Sequence, residues 1–282
     1  MLTVLVTGAT SGIGLESARV LAGQGHSVLL HGRDAARGEA ARRLVNAAGG
    51  PHARYLQADF ASLAEVRKLA RTIQESVPRL DVLINNAGGV NFTRSVTLDG
   101  YERTFAVNHL APFLLTNLLL PKIRQHTPAR IVTVASRAHR NQQIDFADLM
   151  SARGYRPRRA YGRSKLANIL FTRALAKRLA GTGVTANCLH PGIVATGLGQ
   201  NNILARALVR LIQSSRGVST AEGARTSLYL ATSRDVENVS GEYFSDSRPA
   251  PLLTRPEALD DSVAEQLWRS SEELVGLPCT SY

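Results

Sequence analysis

The sequence predicts an α/β fold: a doubly wound, seven-stranded parallel sheet flanked by helices on both faces. Short β-branched runs alternate with helix-period segments from residue 2 to about 248, and this alternation is the signature of strand–helix–strand units. A chain of 282 residues, 44% hydrophobic and 20% charged, can bury one sizeable core and is not disordered. No linker, internal repeat or low-complexity tract interrupts it, so one domain over residues 1–282 is expected. The strands fall near 2–7, 27–31, 53–58, 81–85, 130–136, 184–189 and 242–245. After the sixth strand, a segment at about 195–220 is placed to cover a substrate. The tail at about 250–282 reads as a helical extension. Within it, Val263, Leu267, Trp268, Leu274 and Val275 between Pro256 and Leu277 lay one face on the body, with Trp268 as a core residue.

Taken in order, the first strand, Leu2-Thr-Val-Leu-Val6, runs straight into Thr7-Gly-Ala-Thr-Ser-Gly-Ile-Gly14. A helical pattern follows at Ile13, Ser17, Val20 and Leu21. Strand, glycine-rich turn, helix is the context of a dinucleotide site. Gly8 allows the tight turn, Gly12 lets backbone approach a pyrophosphate, and Gly14 permits close packing of helix on strand. The helix N-terminus offers unpaired N–H groups and a partial positive charge to the phosphates.

Ser136 ends the apolar run Arg130-Ile-Val-Thr-Val-Ala135, which places it at the carboxyl end of a strand. Tyr161 and Lys165 open a helix marked by Leu166, Ala167, Ile169, Leu170, Ala174, Leu175 and Leu179. Four residues apart, they share one face about 6 Å apart along the axis. An ammonium beside a phenol favours the phenolate, so the spacing predicts a lowered Tyr161 pKa and proton transfer near neutral pH.

Thr7-Gly-x-x-x-Gly-Ile-Gly14, Asn85-Asn-Ala-Gly88, Asn108, Ser136, Tyr161-x-x-x-Lys165 and Pro191-Gly-x-x-x-Thr196 occur in that order. Together they resemble the short-chain dehydrogenase/reductase family over roughly residues 1–245. The strings Val107–Thr116, Ser164–Phe171 and His190-Pro-Gly192 are similar to its retinol-dehydrogenase-like branch. The resemblance implies a Rossmann-type sheet and transfer of the 4-pro-S hydride between a nicotinamide and a carbonyl or alcohol carbon. It implies Tyr161 as general acid for reduction and base for oxidation. Lys165 then tunes Tyr161 and holds the nicotinamide ribose, Ser136 holds the substrate oxygen, and Asn108 positions a water behind Lys165. Gly8, Thr10, Ser11, Gly12, Ile13 and Gly14 would receive the cofactor's phosphates. Asn85 to Gly88, with Asn86, Ala87 and Gly88 at the cofactor, would pack near the adenine ribose, and Asp59, followed by Phe60, would contact the adenine amino group or cap a helix. Pro191, Gly192, Ile193 and Thr196 would hold the carboxamide.

The choice of cofactor turns on the end of the second strand, Ser27-Val-Leu-Leu-His31, which continues Gly32-Arg33-Asp34. An acidic residue there would accept from a ribose 2′-hydroxyl and repel a 2′-phosphate. Arg33 instead suits a phosphate, and Asp34 is expected to cap the helix opening at Ala35. NADP(H) is therefore expected over NAD(H). Ser11 departs from this pattern, since many NADP-preferring relatives carry a basic residue in the glycine turn.

The formal charge is +12, from 34 basic and 22 acidic residues. The charge is spread along the chain without a recognition-helix motif, which excludes nucleic-acid binding as its purpose. One cluster stands out: Arg153, Arg156, Arg158, Arg159 and Arg163 surround Tyr161, with Arg206, Arg210 and Arg216 in the covering segment. This cluster is either a solvated loop or a device that steers an anionic or carrier-tethered substrate. Cys188 and Cys279 make no disulfide framework, with Cys188 expected as a buried small hydrophobe. No metal-ligand spacing occurs among the seven histidines. His109 and His190 are expected to pack, and His139 to pack or to line the substrate pocket. With no signal peptide and no apolar run near twenty residues, a soluble cytoplasmic enzyme is expected, monomer or homodimer.

These readings converge on an oxidoreductase acting on an apolar carbonyl or alcohol in a pocket involving Ile144, Phe146, Leu149, Ile203, Leu204 and Leu208. A non-catalytic NADP-binding sensor or scaffold, and a reductase of carbon–carbon double bonds, are the alternatives.

Overall fold

A computed structural model describes residues 1–192, 219–250, 256 and 260–278. At its centre lie strands β1 (Thr3–Val6), β2 (Ser27–Gly32), β3 (Arg54–Gln57), β4 (Val82–Asn85), β5 (Ala129–Val134), β6 (Val184–His190), β7 (Tyr243–Ser245) and β8 (Arg248–Pro249). They form one sheet in the order β3-β2-β1-β4-β5-β6-β7-β8. The first seven pair in parallel, from Thr3 opposite Ser27 to His190 opposite Ser245.

The eighth strand corrects the expected count of seven. It pairs antiparallel with β7, Phe244 opposite Pro249. Asp246 and Ser247 both adopt left-handed backbone, φ 52° and 60°, and make a two-residue hairpin whose twist matches the flanking strands. The sequence signal for such a turn is glycine, and none is present here.

Each central strand is apolar on both faces because helices cover both. Val4, Val6, Val28, Leu30, Val82, Ile84, Val132 and Val134 point into one core, beneath α1 (Gly12–Gly23) and α7 (Thr220–Thr232). The alternate residues Leu5, Leu29, Leu83 and Ile131 point into the other. That second core lies beneath α3 (Leu63–Ser76), α5 (Ala111–Ile123), α6 (Pro157–Arg178) and α8 (Asp261–Val275). Helix α2 (Ala35–Asn46) follows β2, and α4 (Arg103–Phe105) leads through a π-helical turn, Ala106–Leu110, into α5.

Helix α8 begins where the Asp260 carboxylate accepts from the backbone of Ser262 and Val263, and stops at Gly276 with φ 62°. It lies on α6 through Arg173–Asp261 at 3.1 Å and Arg178–Glu265 at 2.8 Å. Trp268, 1% exposed, is in the core as expected. Cys188 is buried in β6 as well, where desolvation pushes its thiol up to about 12.

Candidate active site

The strand order reverses between β1 and β4, which opens a crevice outside the carboxyl ends of the strands. A cleft of about 1400 Å³ lies there. Gly8, Thr10, Ser11, Gly12, Ile13 and Gly14 line one end, and Asn108, Ser136, Tyr161, Lys165, Pro191 and Gly192 the other. Gly8 and Gly12 take φ of 64° and 58°, so the turn is one that L side chains rarely adopt. A Cβ on Gly14 would stand 2.4 Å from the Asn86 side-chain nitrogen and from the Gly8 carbonyl oxygen. The α1 N-terminus has no side-chain cap and no acidic residue in its first turn. This arrangement fits the pyrophosphate of a dinucleotide: small residues, close backbone and uncapped N–H groups facing a cleft.

Two residues to which the sequence reading gave no role hold the turn in place. Thr7 Oγ1 accepts from the backbone N–H groups of Asn86, 2.9 Å, and Ala87, 3.0 Å, and donates to Ile84 O. The Asn86 amide donates back to Thr7 O at 2.7 Å, so Asn86, Ala87 and Gly88 line the cleft from a loop locked onto β1. His31 is the second. Its Nδ1 accepts from Gly8 N at 3.3 Å, its Nε2 lies 3.0 Å from Ala58 O, and its ring stacks on Phe60 at 4.1 Å. Burial lowers its pKa to about 4. Between pH 6.5 and 4 an unfolded chain therefore binds a proton that the native His31 refuses, and stability falls as pH falls. The expected loss through His31 is roughly 2 kcal/mol from pH 7 to 5. Urea unfolding at both pH values checks this, since a His31→Gln protein should lose that much less than the wild type. Burial lowers His109 and His190 to about 4 as well, with the same sign. His109 packs as expected among Phe105, Phe113 and Phe171, whereas His190 accepts from Arg137 N and also lines the cleft. His139 packs edge-on against Tyr243 and does not line the cleft.

At the other end, Tyr161 and Ser136 both line the cleft. Ser136 is placed by the end of β5 and caps the 3₁₀ turn Arg137–His139, accepting from Ala138 N at 3.2 Å. Lys165 Nζ sits 5.7 Å from the Tyr161 ring centre and donates to Val134 O at 2.8 Å. The expected fall in the Tyr161 pKa does not occur. Burial raises it, opposed by the neighbouring Ser136 side chain. Lys165 is itself desolvated, with a pKa lowered to about 8. Spacing brings the pair together, but burial disfavours the charged form of each.

Asn108 sits in the π-helical turn with its side chain fully engaged. The amide nitrogen donates to Gly89 O and Ser164 Oγ, both at 2.9 Å, and its oxygen accepts from Gly89 N at 2.9 Å. Ser164 in turn donates to Tyr161 O at 2.7 Å. Asn108 thus ties the loop after β4 to the helix that carries Tyr161 and Lys165. A Cβ on Gly88 would lie 3.0 Å from Asn108 Oδ1 and 3.4 Å from Lys165 Nζ, so this corner is closely packed.

At the end of β2, Asp34 accepts from Arg37 N at 2.8 Å and caps α2 as expected. Arg33 lines the cleft, and so does Arg37, which the sequence reading did not single out. Asp59 and Phe60 also line it, with the Asp59 carboxylate bonded to Ala61 N at 3.0 Å and 3.6 Å from Arg103. Ile144, Phe146 and Leu149 pack on the core and none lines the cleft, a correction to the expected pocket; Ile144 lines a neighbouring pocket instead. Ile193, Thr196, Ile203, Leu204, Arg206, Leu208, Arg210, Arg216 and Cys279 lie outside the described residues.

The sequence model for short chain dehydrogenases matches residues 2–206. The chain belongs to the short-chain dehydrogenase family. Within it, this dehydrogenase is 47% identical to retinol dehydrogenase 14 of Mus musculus over 98% of its own length and 86% of that protein's. It falls in the retinol-dehydrogenase-like branch. A solved structure from Mycobacterium Paratuberculosis superimposes with a TM-score of 0.79, at 34% identity, covering 99% of this chain and 95% of the other. The RhlG/NADP active-site complex of Pseudomonas aeruginosa gives 0.69 at 28% identity, covering 86% and 93%. The dehydrogenase is thus an oxidoreductase that binds a nicotinamide cofactor. No described helix is long and apolar enough to cross a membrane, and no group of three metal-ligating side chains occurs among the described residues.

Proposed function

We propose that the chain is an NADP(H)-dependent oxidoreductase that interconverts the carbonyl and alcohol forms of a small apolar molecule, with Tyr161 as general acid and base. The observation that carries this reading is Tyr161 lining one cleft together with Ser136, Lys165 and the glycine turn, with Lys165 Nζ 5.7 Å from its ring centre. The bound nicotinamide supplies or accepts the hydride at carbon. Tyr161 delivers a proton to the carbonyl oxygen in reduction and removes it from the hydroxyl in oxidation. Ser136 hydrogen-bonds that oxygen as charge develops on it. Lys165 stabilises the phenolate left after proton delivery and, with Asn108 clamping Gly89, holds the ribose side of the cleft. Gly8 to Gly14 with the α1 N-terminus hold the pyrophosphate, and Asn86, Ala87, Gly88, Asp59 and Phe60 the adenosine.

NADP(H) is supported by Arg33 and Arg37 at the cleft edge and by Asp34 being committed to its helix cap. A panel of aldehydes, ketones and alcohols with each cofactor, read at the nicotinamide absorbance, tests the reading. Retinol, which the relatives' name specifies, belongs in that panel. Arg33→Gln is expected to cut the NADPH-over-NADH ratio of kcat/KM about tenfold, through loss of a charge-assisted phosphate contact. An unchanged ratio removes Arg33 from cofactor selection.

A further inference from the structure

Beside the cleft lies a second pocket of about 580 Å³, lined by Asn141, Gln142, Ile144, Arg156, Arg158, Arg159 and Arg163, among others. Asn141, Gln142 and Arg158 line both cavities, so the two are neighbours that share a wall. The far wall is built by the loop at 141–145, which packs on α6 at a glycine. A Cβ on Gly162 would stand 2.5 Å from Ala138 O and 2.8 Å from Gln142 Cγ. Arg163 pins the same loop through Asp145 at 3.1 Å.

That ion pair accounts for the pocket's acidic residue and one of its four guanidinium groups. Arg156, Arg158 and Arg159 are exposed and form no ion pair among the described residues. They sit at the N-terminus of a 22-residue helix with no side-chain cap and no acidic residue in the first turn. The positive end of a helix dipole favours anions and disfavours cations. Three arginines there carry a local electrostatic cost, which a bound anion would relieve. Arg158 is also three residues before Tyr161, about 4.5 Å along the axis and on the same face.

We propose that this pocket is an anion subsite that takes a carboxylate or phosphate group carried by the substrate, and so holds its carbonyl toward Tyr161. The proposal deepens the redox reading of the cleft and rests on it for the identity of the reacting group. Guanidinium forks pair with both oxyanions through two parallel hydrogen bonds.

The test uses 4-formylbenzoate, 4-formylphenyl phosphate and the neutral methyl 4-formylbenzoate. Their dissociation constants are measured by calorimetry on Tyr161→Phe protein saturated with its oxidised nicotinamide cofactor, so that no turnover intervenes. At least one of the two anions is expected to bind about tenfold or more tightly than the ester. The larger of the two gaps tells carboxylate from phosphate. It should shrink about threefold or more in Arg158→Gln/Arg159→Gln protein and with rising ionic strength, and persist in Arg153→Gln, which lies outside the pocket. Equal binding of anions and ester, or a gap that survives the double substitution, overturns the subsite. Failure of the wild type to turn over any carbonyl while the gap persists overturns the redox reading and leaves the subsite standing.

Discussion

Tyr161→Phe protein is expected to lose roughly 10²- to 10⁴-fold in kcat for carbonyl reduction, the usual worth of a positioned proton donor. Its dissociation constant for the cofactor should stay within about threefold, because the ring is kept and only a hydroxyl is removed. The reason is local. Tyr161 lines the cleft beside Ser136, and the Lys165 ammonium, 5.7 Å from its ring centre, is committed to Val134 O. Ser136 sits at the same place, but its ordinary hydroxyl is a far weaker acid than a phenol. Steady-state rates with saturating cofactor, and calorimetry for the cofactor itself, separate the two effects. A variant that keeps turnover moves the proton to another group. One that loses cofactor affinity as well would make Tyr161 a structural residue. The raised phenol adds a direction for pH: alcohol oxidation, which needs the phenolate, should accelerate as pH rises above neutrality.

Most of this site was legible because its parts are local in sequence. Gly8, Gly12 and Gly14 fall within one turn, Tyr161 and Lys165 within one helix, and Asp34 beside the helix it caps. What escaped depends on contacts between distant segments. Thr7 grips Asn86 from 79 positions away, and His31 joins the glycine turn to Ala58 from 27. Neither pairing leaves a local pattern. The sign of the Tyr161 shift was misjudged for a related reason, since spacing predicts proximity to Lys165 but not how completely both groups lose water. The arginines around residue 158 could be counted in the sequence. Their pocket could not, because its far wall comes from a loop whose seat on α6 is set by the missing Cβ of Gly162.

The same logic makes Trp268 the position where a single truncation should cost most in stability. The indole is 1% exposed and packs edge-on to Phe113 at 4.9 Å and nearly parallel to Phe171 at 5.8 Å. The Arg178 guanidinium lies 4.1 Å over its face, and its Nε1 donates to Glu272 at 2.8 Å. Trp268→Ala removes the ring, opens a cavity between α5, α6 and α8, and leaves a carboxylate that is 3% exposed without that donor. A loss of about 3–5 kcal/mol in unfolding free energy is expected, the range for aromatic-to-alanine changes in cores. Trp268→Phe keeps most of the volume and should cost distinctly less. Urea melts of the three proteins decide the matter. A loss below about 1 kcal/mol for the alanine variant would mean that α8 is not part of the cooperative unit that carries Tyr161 and Lys165. A loss in the expected range would tie the C-terminal helix, through α6, to the placement of the proton donor itself.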